Sequence, residues 1–244
     1  MKRTVLILLT GAVAGYAAGW WFHKETTRER MPEGILTSVP EGEGWQNLLS
    51  EPWLNRWSNT EDDEDIFEIS DGMLHIYGIS VKLRYAGLKD DIWDDFDLHV
   101  EYNLAPGTNS GIFLRWPADT DAHRGFEIQV LDDHGQEPSP IRSGAIYDVV
   151  SPMFNMSFPA GEWNSMDISV RGDHVVVVHN GWKVVDTNLG QMTMPIGKFD
   201  VPFAEYAKEG YITFQDHGGE VWYRNIYIRD AAPETTAEEE PEAS

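Results

Sequence analysis

The chain has 244 residues, no cysteine and a formal net charge of −23, with 41 Asp and Glu against 18 Lys and Arg. The missing thiols exclude disulfides, thiolate zinc sites and cysteine nucleophiles, and the acidity argues against nucleic acid, whose phosphates need Lys and Arg. Aromatic residues at 12%, with 22 Gly and 13 Pro, suit a well-filled core crossed by many turns.

In chain order, Lys2 and Arg3 precede an uncharged run over residues 4–22 that closes on Trp20 and Trp21. A membrane-crossing helix needs roughly 20 apolar residues, so residues 1–23 read as a membrane anchor. A cleaved signal peptide is the competing reading, with Ala12-Val-Ala14 or Ala17-Ala18 as the small-residue site. Either one exports the remainder, so the expected location is periplasmic or extracellular. Lys24, Arg28 and Arg30 follow the run and leave orientation open. Residues 24–42 read as a polar tether, 43–230 as one folded domain and 231–244 as a disordered acidic tail.

Within the domain, short stretches alternate apolar and polar residues with the period of two expected of half-buried strands. They fall at 66–69, 73–77, 96–102, 112–116, 126–131, 165–170, 175–178, 182–186, 210–215 and 221–228. Asp71-Gly72 and Asn180-Gly181 are hairpin-turn signals between such stretches. No helical periodicity competes outside the N-terminal run. The expected fold is all-β, a jelly-roll β-sandwich preceded by one hydrophobic helix.

The polar side chains on these strands are unusually rich in hydrogen-bonding groups. Alternation puts Gly111, Phe113 and Arg115 on one face of their strand, Glu127 and Gln129 on another's, and Thr213, Gln215 and His217 on a third's. If those faces coincide, Arg115, Glu127, Gln129, Gln215 and His217 share a polar surface suited to a saccharide, with a carboxylate and an imidazole as acid–base candidates. A cross-strand Arg115–Glu127 ion pair on an exposed sheet is the alternative. Tyr147, Trp163 and Trp116 are candidate stacking groups for a pyranose ring or, equally, core residues. Sandwich glycosidases need two carboxylates flanking the scissile bond. Here the strand reads Glu127-Ile-Gln129-Val-Leu131-Asp132, with an amide in the middle and the last acid on the opposite parity. The acid clusters at 61–65 and at Asp90, Asp91, Asp94, Asp95 and Asp97 match no calcium-loop spacing and read as solvated loops. The His-Glu-x-x-His, P-loop, Rossmann and Gly-x-Ser-x-Gly signatures are all absent.

Several motifs, in this order, resemble the 3-keto-disaccharide hydrolase domain family over about residues 45–230. They are Ser70-Asp-Gly-Met-Leu74, Asn109-Ser-Gly-Ile-Phe-Leu-Arg115, Glu127-Ile-Gln-Val-Leu-Asp132, Gly144-Ala-Ile-Tyr147, Gly161-Glu-Trp-Asn164, Asn180-Gly181, Phe214-Gln-Asp-His-Gly218 and Tyr223-Arg-Asn-Ile226. The resemblance implies a concanavalin A-like jelly roll, export in bacteria and action on glycosides already oxidised at C3. A 3-ketone acidifies the C2 proton, so a base, an enolate stabiliser and a proton donor suffice, without a carboxylate pair. On this basis Glu127 or His217 is expected to move the proton and Arg115 to anchor the enolate or a hydroxyl. Asn109, Gln129 and Gln215, with Tyr147 and Trp163, are expected to bind the sugar. A divalent metal on the enolate is compatible with this chemistry, yet no motif requires one. The segment departs from the family's His-x-x-Asn-Gly pattern, because His179 directly precedes Asn180-Gly181. The rival expectations are a non-catalytic carbohydrate-binding or adhesion module and a conventional glycoside hydrolase. No protein partner is inferable.

Overall fold

A computed structural model describes residues 40–59, 65–79, 83–117 and 125–231. The expected N-terminal helix, most of the tether and the acidic tail lie outside these residues, as does most of the acid cluster at 61–65. Among the described residues no helix is long and apolar enough to cross a membrane.

The described residues form thirteen strands: β1 (Gln46–Asn47), β2 (Ser58–Asn59), β3 (Phe67–Ser70), β4 (Met73–Ile76), β5 (Arg84–Gly87), β6 (Phe96–Leu104), β7 (Asn109–Trp116), β8 (Phe126–Leu131), β9 (Trp163–Arg171), β10 (His174–His179), β11 (Trp182–Asn188), β12 (Tyr211–Asp216) and β13 (Val221–Asp230). They form two sheets. The larger runs β11-β10-β9-β6-β13-β4-β3, with β1 on β13, and the smaller runs β2-β5-β12-β7-β8. Every pairing is antiparallel, as hairpins and long returns in a sandwich require. The only helices among the described residues are single 3₁₀ turns.

The turn signals act as expected. Asp71 and Gly72 have φ of 52° and 72°, and Asn180 and Gly181 have 48° and 81°. Both central residues of each hairpin turn are left-handed, the conformation that Asn-Gly and Asp-Gly tolerate best. The two sheets then close on a shared core. Ile112, Leu114, Ile128 and Phe214 from the small sheet meet Leu98, Val100, Tyr102 and Ile168 from the large one, all at 2% exposure or less. Some polar groups in this interior pair across it. Ser110 Oγ donates to the Gln215 carbonyl (2.6 Å) and lies 2.8 Å from the Tyr223 hydroxyl. His179 Nε2 lies 2.8 Å from the Tyr102 hydroxyl. Burial pushes the His179 pKa down to about 4, so this imidazole is a neutral core group and not a surface contact.

One loop extends the small sheet. Gly144 N donates to the Gln129 carbonyl (2.9 Å), Gln129 N to Ala145 (3.0 Å) and Tyr147 N to Glu127 (2.9 Å), so residues 144–147 run along the open edge of β8. Buried Asp133 holds this loop in place. Its carboxylate accepts from Ser143 N and Ser157 Oγ, each at 2.9 Å.

Candidate functional site

The face of the small sheet that points away from the core carries the polar groups. Register sets Glu127 opposite Phe113, Phe113 opposite Thr213, Gly111 opposite Gln129, and Gln215 opposite Tyr85. Phe214 pairs with Ile112, so continuing the ladder by one residue sets Gln215 opposite Gly111. Directly opposed residues share a face. Glu127, Gln129, Thr213 and Gln215 therefore surround Gly111. A Cβ at Gly111 would overlap the Glu127 carboxylate, which lies across it and would have to shift.

Glu127 is half-buried, and among the described residues its carboxylate accepts no hydrogen bond. Burial pushes its pKa up to about 8, and Lys198 opposes the shift only in part. Among the described residues, no strand position on this face holds a second Asp or Glu. Gln215 and Gln129 are 4% and 3% exposed. Gln129 Oε1 accepts from Val130 N (2.9 Å), whereas Gln215 Oε1 and Thr213 Oγ1 are buried without a partner among the described residues. Buried polar atoms are nearly always paired. These two leave unused hydrogen-bonding capacity on the outward-facing side chains of β12, covered from solvent in the free protein.

At the end of β12, exposed His217 is joined to Asn109. The Asn109 Nδ2 donates to His217 Nδ1 (2.9 Å), which leaves the ring proton on Nε2. Glu127 and His217 sit on strands separated by β7, and Glu127 is level with Thr213, so ordinary strand spacing and rise put the two backbones about 16 Å apart. At the edge, half-buried Tyr147 stands beside Glu127. Its phenol is held above its usual pKa first by burial and then by the Glu127 charge, so it stays protonated. Lys198 Nζ lies 4.5 Å over the Tyr147 ring.

Two expected site residues lie elsewhere. Arg115 has a left-handed φ of 51° at a bulge. Phe113 pairs with Thr213 and Trp116 with Tyr211, so Leu114 and Arg115 together oppose only Ile212. The extra residue reverses alternation. Trp116 takes the outward position, packing with Tyr85, Phe113 and Tyr211, and Arg115 is turned inward to 2% exposure. Its guanidinium donates to the carbonyls of Asp94 (2.6 and 2.9 Å) and Gly172 (2.6 Å) and to the Asp95 carboxylate (3.1 Å). The Arg115–Glu127 pair does not form. Trp163 begins β9 of the large sheet, opposite Asn103, with the Arg224 guanidinium 4.0 Å over its ring. It faces away from the core on the other side of the sandwich from Glu127.

The acid cluster after β5 anchors the fold. Asp91 pairs with Arg56, Asp95 with Arg115 and Asp97 with Arg171 and Arg229. Among the described residues no three His, Asp or Glu side chains converge as metal ligands, so no step is assigned to a metal. Lys198 and Gly111 are the site residues that the sequence reading missed. A lone glycine inside an alternating strand was a usable signal for a close approach. Lys198 sits in an aperiodic loop and gave none.

The profile of the 3-keto-alpha-glucoside-1,2-lyase-like domain matches residues 44–229. The chain belongs to that family. It is 24% identical over 229 residues to the 3-keto-disaccharide hydrolase of Bacteroides thetaiotaomicron, an alignment spanning 78% of this chain and 79% of the relative. Among solved structures, a Parabacteroides distasonis protein described as a candidate glycosyl hydrolase superposes with a TM-score of 0.64 at 27% identity, over 77% of this chain and 99% of that one. A galectin-like protein of Bacillus subtilis shares the fold, with a TM-score of 0.53 at 13% identity, over 80% of this chain and 100% of that one. The matched region of this 3-keto-alpha-glucoside-1,2-lyase-like domain holds both sheets and every polar group around Gly111.

Proposed function

We propose that this domain cleaves 3-keto-glycosides by elimination followed by hydration, outside the cytoplasm. The observation that carries the reading is the solitary, desolvated carboxyl of Glu127 among amides. Two-carboxylate hydrolysis needs a partner acid across the scissile bond, and this face offers Gln129 and Gln215 instead. A ketone at C3 removes that need. Glu127, as a base strengthened by burial, takes the proton from C2, and the C–H electrons form an enolate with charge on the C3 oxygen. When the carbonyl re-forms, C1=C2 is made and the C1–O bond to the aglycone breaks. His217 Nε2–H, held in that tautomer by Asn109, donates its proton to the departing oxygen. Water then adds across C1=C2, with hydroxyl to C1 and hydrogen to C2, so the net reaction is hydrolysis. Gln129, Gln215 and Thr213 bind the sugar hydroxyls, and Tyr147 flanks the ring.

The test is release of aglycone by the full-length protein from a glycoside and from its 3-keto form, each with and without chelator. Release from the keto form alone is expected. Equal release from the unoxidised glycoside would favour an ordinary hydrolase, and binding without release from either would favour a carbohydrate-binding module.

A further inference from the structure

The elimination needs a cation or strong donor at the C3 oxygen, where negative charge develops. Arg115, the sequence-level candidate, is committed to the opposite side of its strand. We infer that Lys198 is a further catalytic residue of this site, its ammonium donating a hydrogen bond to the C3 oxygen of the enolate while Glu127 holds the C2 proton. The inference rests on the reading proposed above.

The geometry is built through the loop that borders β8. Tyr147 is fixed beside Glu127 by its backbone bond to the Glu127 carbonyl (2.9 Å). The next residue, Asp148, takes a left-handed φ of 61°, and its carboxylate accepts from Lys198 N (2.6 Å). Gly197, with φ of 60°, packs so closely on Asp148 that a Cβ would overlap its carbonyl and carboxylate. The backbone of Lys198 is thus fastened to the residue that follows Tyr147. The side chain then lies over the Tyr147 ring, with Nζ 4.5 Å from its centroid, and near Phe199 at 5.5 Å. An ammonium held on an aromatic face has part of its water removed, yet keeps donors free for a ligand. Among the described residues, Lys198 is also the one cation that acts on the Glu127 carboxyl. C2 and C3 are adjacent in the sugar, so a base at C2 and a cation beside that base meet the enolate at neighbouring atoms.

The groups facing Glu127 are Lys198 and Tyr147 at the edge and Tyr223 from the core side, with Asp148 behind Tyr147. Removing Lys198 therefore has a signature that loss of packing lacks. In Lys198→Met, kcat on the 3-keto-glycoside is expected to fall about 100-fold. The low-pH limb of its kcat profile should move to higher pH, because Glu127 loses the charge that favoured its ionised form. Ethylammonium added to Lys198→Ala should restore part of the rate. Lys183→Met, at an exposed ion pair with Asp186 on the large sheet, is the control and should match the unaltered protein. Wild-type kcat in Lys198→Met, or a fall with an unmoved limb and no rescue by amine, would overturn the role of Lys198. Inactivity of the unaltered protein on every 3-keto-glycoside, with or without chelator, would instead overturn the functional reading on which it rests.

Discussion

At the scale of single residues, one proton governs both activity and stability. Glu127 is neutral below about pH 8 in the folded protein and below 4.5 at its ordinary value. As a base it must be ionised, so kcat should rise about tenfold per pH unit up to pH 8 and then level. Glu127→Gln should lose about 10²- to 10⁴-fold in kcat, the usual contribution of a positioned acid–base group. Its stability should move the other way. Between pH 4.5 and 8 the unfolded chain releases this proton while the folded one keeps it, so stability falls as pH rises through that window. A neutral amide removes the penalty. Glu127→Gln should therefore melt with the unaltered protein near pH 4.5 and well above it at pH 8. Equal melting temperatures at pH 8 would mean the carboxyl is not desolvated as the fold indicates.

At the scale of elements, β7 shows how far alternation can be trusted. The period of two identified ten strands and placed Glu127, Gln129, Thr213 and Gln215 on one face, because those stretches are unbroken. It failed at Arg115, where a single inserted residue reverses the pattern and no local composition announces the bulge. Trp163 is misplaced for another reason: it stands out only as an aromatic able to stack on a sugar, and residue type does not say which sheet its strand joins. β1 and β2 have two residues each, too short for a period to register, and β5, Arg84-Tyr-Ala-Gly87, is buried at its last three positions and has no alternation to read. The corrected place of Arg115 makes its own prediction. The guanidinium ties β7 of the small sheet to the β9–β10 turn of the large one and to the segment before β6, using five-donor geometry that Lys cannot copy. Arg115→Met leaves buried acceptors unpaired and should cost about 3–5 kcal/mol in urea unfolding. Arg115→Lys should recover little of that loss. Folded Arg115→Met should retain kcat within about twofold, against the 100-fold or more expected of a catalytic cation. A kcat collapse at unchanged stability would return Arg115 to the active site.

For the whole molecule, charge and burial set opposing demands along the pH axis. On the large sheet, burial disfavours charged His99, but Asp167, at 2.6 Å, and Glu101 outweigh it and hold its pKa up to about 9. The stability it adds is complete below 6.5 and is lost as pH rises through 9. Glu101 is itself fully buried and bound by Arg224 and Asn225. Burial raises its pKa, but these donors and His99 lower it further, so it remains an anion. Asp97 is likewise lowered by Arg229 and Arg171 against its burial. Both carboxylates add stability that is complete above the ordinary carboxylate range, about 4, and is lost as pH falls below it through their lowered values. With a net charge of −23, self-repulsion also grows as the remaining protons leave. The sum is a stability maximum at mildly acidic pH, below the pH at which Glu127 is fully active. The melting temperature of the full-length protein should therefore peak near pH 5–6 and fall towards pH 9, while kcat climbs over the same interval. Salt separates the causes. Raising NaCl from about 0.05 to about 0.5 M should lift the melting temperature at high pH by screening surface repulsion, but should leave the part owed to buried Glu127 and His99. That remainder should vanish in a Glu127→Gln, His99→Gln double variant. A melting temperature that is flat from pH 5 to 9, or a decline of equal size in the double variant at high salt, would show that these two buried groups do not set the pH response.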